Sequence, residues 1–211
     1  MPKNTSKLRW EILSDNQRNV FTGLKPFAPY GVLGGGTALA LQLFHRRSFD
    51  LDIFTPKPIS KKFLYRVKNH FKRIEILADT GDELTFISPV GVKISFVFYP
   101  FKNLYPTIKT PYLDFYFWKD ISLDKAHTIG RRGEWRDYVD MYFIIKGGLG
   151  LTNILKEASK KFGDTFSEKL FLSQLCYYGD VHDFTVEFLG KEVSKNEIQN
   201  FLKEEVGKIK I

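Results

Sequence analysis

The chain is poor in sulfur and holds no long apolar run. One cysteine, Cys176, among 211 residues excludes an intramolecular disulfide framework and fits a reducing compartment. It lies in the apolar stretch 170–178 and reads as a small buried hydrophobe, not as a nucleophile. Of only four histidines, His45 has no second His or Cys at ligand spacing, which argues against a zinc-type site there. No apolar run approaches the ~18 residues needed to span a bilayer. Residues 1–7 lack the apolar core of a signal peptide. The expectation is a soluble cytoplasmic protein with no membrane partner. Internal repeats and low-complexity tracts are also missing.

Aromatic and basic residues are plentiful. Hydrophobic residues make up 43% and aromatics 16%, with 20 Phe and 10 Tyr, enough for a large core. The 32 Lys and Arg outnumber 24 Asp and Glu, leaving +8 and a sequence pI near 9.4. Such an excess attracts polyanions such as nucleic acid or nucleotide phosphates, although solubility alone explains it equally well.

The apolar periodicity predicts a helix over 8–24, a short strand near 30–33 and a helix over 37–44. A strand over 49–54 ends at Pro56 and Pro58, and a helix over 59–71 follows with Ser60 as cap. Strands over 74–78, 83–87 and 92–99 are separated by turns at Gly81-Asp82 and Pro89-Val90-Gly91. From about residue 122 the pattern turns helical, over 123–129, 135–146, 151–162, 166–177 and 195–206. The composition thus changes near residue 110, so the expected organisation is an α/β core over 1–110 and a helical region over 111–211.

Three clusters carry chemistry. Gly34-Gly35-Gly36 lets backbone amides approach a ligand, and Thr37 adds a hydroxyl at a helix start. Glycine turns are common, so the triplet alone is weak. Asp50 and Asp52 alternate with Phe49, Leu51 and Ile53, which puts both carboxylates on one face of a strand. Aspartate is disfavoured in strands, and like charges side by side repel unless a cation intervenes. A shared Mg²⁺, with a phosphate on the helix start, resolves that conflict. Between them Arg46 and Arg47 suit a triphosphate or an RNA backbone, or an ordinary basic loop. The third cluster runs from Asp124-Lys125 to Arg131-Arg132-Gly133 and Arg136-Asp137-Tyr138-Val139-Asp140. Here Arg136 and Asp140 are i, i+4 neighbours that can pair, with Trp135, Tyr138, Val139, Tyr142 and Phe143 as the buried stripe. Surface ion pairs or a cleft lining both fit this density of charge.

Together these residues resemble the AbiEii/AbiGii-type nucleotidyltransferases, a branch of the DNA polymerase β-like superfamily. The resemblance rests on Gly35-Gly36-Thr37-Ala38-Leu39, His45-Arg46, Ser48 and Asp50-Leu51-Asp52. It continues through Gly91-Val92-Lys93-Ile94-Ser95-Phe96, Tyr99-Pro100-Phe101, Lys125, Arg132-Gly133 and the helix from Arg136 to Asp140. It implies an α+β fold, a mixed sheet with flanking helices followed by a helical carboxy-terminal region that closes the cleft. It also implies transfer of a nucleoside monophosphate from a nucleoside triphosphate with Mg²⁺, or Mn²⁺ in its place. Asp50 and Asp52 would hold the metal, while Gly35, Gly36, Thr37, Arg46 and Ser48 would seat the phosphates. Lys125 would contact phosphate or developing charge, and Asp137 would serve as base for an acceptor hydroxyl. The implied acceptor is RNA such as the tRNA acceptor end, guided by basic residues including Arg131 and Arg132, with an antitoxin protein as possible partner. One departure stands out: Ser95 occupies the position where the superfamily usually has a third carboxylate. A protein side chain as acceptor, or a non-catalytic nucleotide-binding module, are the alternatives.

Overall fold

In the computed structural model, which describes residues 8–209, the chain divides into two compact units between Phe117 and Trp118. Residues 1–7, discussed above for a signal peptide, lie outside the described residues. The α+β class is as expected, with one mixed five-stranded sheet and eight α-helices among the described residues.

The first unit opens differently from its pattern. In place of one helix over 8–24, a 3₁₀ turn at Trp10–Ile12 precedes helix α1 (Asp15–Gly23). Ser14 makes the break: its hydroxyl accepts the Gln17 N–H while the Gln17 amide accepts the Ser14 N–H. This reciprocal box starts a new helix and ends the old one. Strand β1 (Val32–Gly34) runs directly into α2 (Gly35–Leu43), and β2 (Leu51–Thr55) precedes α3 (Lys61–Phe71). Ser60 caps α3 as expected, accepting the Phe63 N–H at 3.2 Å. Strands β3 (Glu75–Asp79), β4 (Glu83–Ile87) and β5 (Lys93–Phe98) complete a sheet of order β1-β2-β5-β4-β3. Only β2 and β5 run parallel; the other neighbours are antiparallel.

Strand alternation gives this sheet two distinct faces. Register aligns Ile53 with Phe96 and Leu84 on one side, and Asp52 with Ser95 and Thr85 on the other. Phe96 and Phe86 meet Phe63 and Phe71 of α3 at ring separations of 4.8 and 5.3 Å, with Phe27 also against them. Helix α3 therefore covers the face opposite Asp52. Residues beyond 110 still belong to this unit, because the Leu33 N–H binds the Asp114 carbonyl and the Tyr116 N–H binds the Leu33 carbonyl. That pairing moves the division from the compositional change at 110 to residue 117.

The second unit holds α4 (Trp118–Ile129), α5 (Trp135–Lys146), α6 (Leu151–Phe162), α7 (Glu168–Cys176) and α8 (Lys195–Gly207). Helix α4 starts about a turn before its apolar pattern does. Asp120, a polar residue in that first turn, is fully buried against Lys161 of α6, so periodicity could not register it as inward-facing. Cys176 is partly buried at the end of α7, where burial raises its thiol pKa. No helix among the described residues is long and apolar enough to cross a membrane.

Candidate active site

The glycine turn and the acidic strand meet in the first unit. Antiparallel pairing of β1 with β2 sets Gly34 directly opposite Asp52. Each glycine there has its own steric reason. Gly35 has φ +63°, and a Cβ on it would run into the Asp52 carboxylate. At Gly36 a Cβ would press on the Arg46 guanidinium at 2.9 Å and the Ser48 hydroxyl at 3.0 Å. At Gly34 it would strike the Phe54 ring at 2.5 Å. The N-cap residue of α2, Gly34, has no side chain with which to cap the helix. The positive end of that helix lies beside the Asp52 carboxylate, which is the group a Cβ on Gly35 would meet.

The loop carrying Asp50 is fastened from two sides. Gln17, buried on α1, donates its amide to the Ser48 and Phe49 carbonyls at 2.8 and 3.1 Å. Thr37 donates its hydroxyl to the Asp50 carbonyl at 2.5 Å. That proton is committed, so Thr37 serves this loop with its side chain and leaves only its backbone amide to a ligand. Arg46 is equally inward: it is 2% exposed, lies under Gly36, and donates to the Arg47 carbonyl at 2.9 Å. Asp50 precedes β2 and stays partly open, 30% exposed, with the Lys93 ammonium 3.5 Å away. Ser95 occupies the β5 rung beside Asp52, and its hydroxyl lies 3.0 Å from that of Thr85. Ser95 and Thr85 thus form a buried hydroxyl pair beside Asp52.

The second unit gathers the remaining predicted residues. Lys125 on α4 forms ion pairs with Asp137 and with Asp140 of α5, the latter at 2.9 Å. Asp137 and Asp140 sit one turn apart, so both reach the same ammonium. All three are nearly excluded from water, and Oδ2 of Asp137 is buried without a hydrogen-bond partner among the described residues. The Arg136–Asp140 pair that the spacing allows is not formed. Arg136 reaches back to Glu134 at 3.3 Å, because Asp140 faces inward to Lys125. Asp137, Asp140 and Met141 join the expected aromatic stripe, so α5 is buried on most of its circumference. Arg131 and Arg132 are also spoken for: Arg131 donates to the His127 and Thr165 carbonyls, and Arg132 pairs with Glu134 at 2.9 Å.

Sequence reasoning missed a second lysine-centred cluster. Lys161 of α6, with no exposed side-chain surface, binds Asp120 at 3.0 Å and Asp124 at 2.6 Å. The i, i+4 spacing of those two aspartates on α4 was the available signal. Nearby, His127 stacks on Phe162 at 4.2 Å, and its pKa is lowered to about 4. Burial is the main cause, helped by the positive charges of Arg131 and Lys161.

A model of the nucleotidyl transferase AbiEii toxin of type IV toxin–antitoxin systems matches residues 21–210. The chain belongs to that family. It is accordingly a nucleotidyltransferase from a family of toxins, and this class typically works on a nucleoside triphosphate with a divalent metal. An uncharacterized protein of Aquifex aeolicus, aq_aa25, is 31% identical over 183 residues, covering 82% of this chain and 85% of the relative. Among solved structures, MenT4, a nucleotidyltransferase toxin of Mycobacterium tuberculosis, superposes with TM-score 0.65 at 15% identity, over 92% of this chain and 82% of that one. JHP933 from Helicobacter pylori gives 0.53 at 20% identity, over 92% of each chain. At such identities these two likenesses bear on the fold.

Among the described residues no three His, Cys, Asp or Glu side chains gather into a metal site. The donors present still fit Mg²⁺, which is commonly held by one or two carboxylates with substrate phosphates and water completing its shell.

Proposed function

We propose that this nucleotidyltransferase moves a nucleoside monophosphate from a nucleoside triphosphate to a hydroxyl of RNA, such as the tRNA acceptor end. The observation that carries this reading is Asp52 set against Gly35 at the start of α2. Amides at a helix start suit a phosphate chain, and a carboxylate beside them is tolerated when a divalent cation lies between the two anions. Asp50 and Asp52 would hold Mg²⁺, or Mn²⁺, which offsets the charge that grows as pyrophosphate leaves. Gly35 and Gly36 let the triphosphate approach the backbone. Arg46 and Ser48, both beside Gly36, would steady those phosphates.

In the second unit, Asp137 is the candidate base. One of its oxygens is taken by Lys125, while Oδ2 is the atom left to accept a hydroxyl proton. Lys125 holds that carboxylate in place and is the cation for phosphate contact. The reading places the protein in the cytoplasm, where nucleotides and tRNA are found, with an antitoxin as its controlling partner.

The test is incubation with α-labelled nucleoside triphosphates, Mg²⁺ and either tRNA or cell lysate. Label on RNA supports the proposal. Label on protein replaces it with adenylylation of a side chain. Nucleotide binding with no label transferred anywhere marks a binding module, a reading that the Ser95–Thr85 hydroxyl pair in place of a third carboxylate favours.

A further inference from the structure

The net positive charge of this chain is concentrated in one segment. Between Asp52 and Glu75 there is no acidic residue, while Lys57, Lys61, Lys62, Arg66, Lys68, Lys72 and Arg73 supply seven basic ones. Those seven come from 32 basic residues in all, so the rest of the chain has 25 against 24 acidic, a charge of +1. All seven are exposed, on α3 or at its ends, and none forms an ion pair within the described residues. The acidic turn at Asp82 borders the start of the segment, through the Ile59 N–H bonded to the Gly81 carbonyl, yet it takes no lysine.

Helical spacing arranges these side chains in rows. Lys61, Tyr65 and Lys68 form one line, and Lys62, Arg66 and Asn69 another beside it. Tyr65 stands between them 65% exposed, and a depression along the helix is lined by Lys62, Tyr65, Arg66, Asn69 and His70. The arrangement works against the helix itself. Lysines at its first turn oppose the macrodipole, and Lys62–Arg66 is a like-charge i, i+4 pair. A solvated face gains nothing from such a cost, whereas a polyanion reverses its sign.

We infer that the outer face of α3 is a docking surface for the phosphate backbone of RNA, with Tyr65 as a stacking platform for an exposed base. Basic rows interleaved with an accessible aromatic ring are the usual means of holding a flexible strand. This deepens the acceptor reading above and depends on it for the identity of the polyanion. Because α3 covers the sheet face opposite Asp52, the surface grips the body of a folded RNA and leaves the reacting hydroxyl to the other face. A trinucleotide is too short to use both.

The experiment reads binding, not transfer. A fluorescein-labelled RNA hairpin with a single-stranded 3′ end is titrated with the full chain at several salt concentrations, and circular dichroism confirms that each variant is folded. The variant with Lys61→Gln, Lys62→Gln, Arg66→Gln and Lys68→Gln is expected to bind at least tenfold more weakly at 0.1 M salt. Its log–log salt slope should be smaller by about three, from four lost contacts at ~0.7 each. Tyr65→Ala should weaken binding about fivefold, and Tyr65→Phe should restore it. Unchanged affinity and slope in the four-residue variant overturn the inference. So does loss of poly-glutamate binding with RNA binding intact, which would assign the face to an acidic protein. If α3-dependent binding holds while no label ever reaches RNA, the acceptor reading fails and the docking surface stands.

Discussion

The two units treat their aspartates in opposite ways. In the first, Asp50 and Asp52 are only partly covered, Asp50 beside the exposed Lys93, and their strand is placed by backbone contacts: a glycine without a side chain, a threonine on a carbonyl, a glutamine on a loop. In the second, Asp120, Asp124, Asp137 and Asp140 are drawn inward, and each is bound by Lys125 or Lys161. Half-open carboxylates keep their capacity for a ligand. Carboxylates closed by an internal lysine contribute to the fold, because leaving any one member alone in the interior is costly, and of the four only Asp137 is proposed above for chemistry, through its open Oδ2. Density of charge is therefore a poor guide to function, and the free valence of each charge is a better one.

Four experiments would break or sharpen this contrast. Replacing Asp50 and Asp52 together with Asn should lower nucleotidyl transfer on the order of 10³-fold. The midpoint of thermal unfolding should stay within about 3 °C, since both carboxylates are only partly buried. Retained labelling would refute the assignment. Lys161→Met should do the reverse within the second unit, costing about 3–5 kcal/mol in urea unfolding because two buried aspartates lose their cation. Replacing Asp120 and Asp124 with Leu in the same protein should recover much of that loss.

Glycines with positive φ permit a finer comparison. Gly35→Ala and Gly148→Ala both force alanine into the left-handed region, at roughly 1–2 kcal/mol each. Only at Gly35 does the new methyl meet a carboxylate; nothing lies within 4 Å at Gly148. Transfer activity should fall sharply in the first variant and hardly in the second at equal stability. The smallest effect concerns pH. His127 has an ordinary value of 6.5 and a folded value of about 4, so between these the unfolded chain binds more protons. Stability from this residue is complete above pH 6.5 and is lost as pH falls towards 4. His127→Phe, which keeps a ring on Phe162, should flatten the wild-type loss over that window in denaturant titrations.

Much of this was legible from residue order. Helices at 135–146 and 151–162 fall where their apolar periods put them, since a buried face repeats every 3.6 residues whatever it packs against. Gly35 and Asp52 were identifiable as companions because a strand–turn–helix followed by a returning strand leaves few ways to connect them. The single helix expected over 8–24 failed for a local reason, the Ser14–Gln17 box. Spacing along the chain does not show that the Arg46 and Thr37 donors also bind backbone carbonyls, which only the packing around the loop reveals.

What order along the chain determined by itself was the set of elements, the acidic strand beside a glycine turn, and the run of basic residues without an acid. These follow from spacing, which acts between neighbours. Tertiary structure alone decided which charge meets which. Lys161 finds Asp120 and Asp124 some forty residues away, and Asp140 turns from Arg136 to Lys125. The reason is that ion pairing in the interior is governed by packing and by the cost of leaving water, and neither is written in the distance between two residues along a chain.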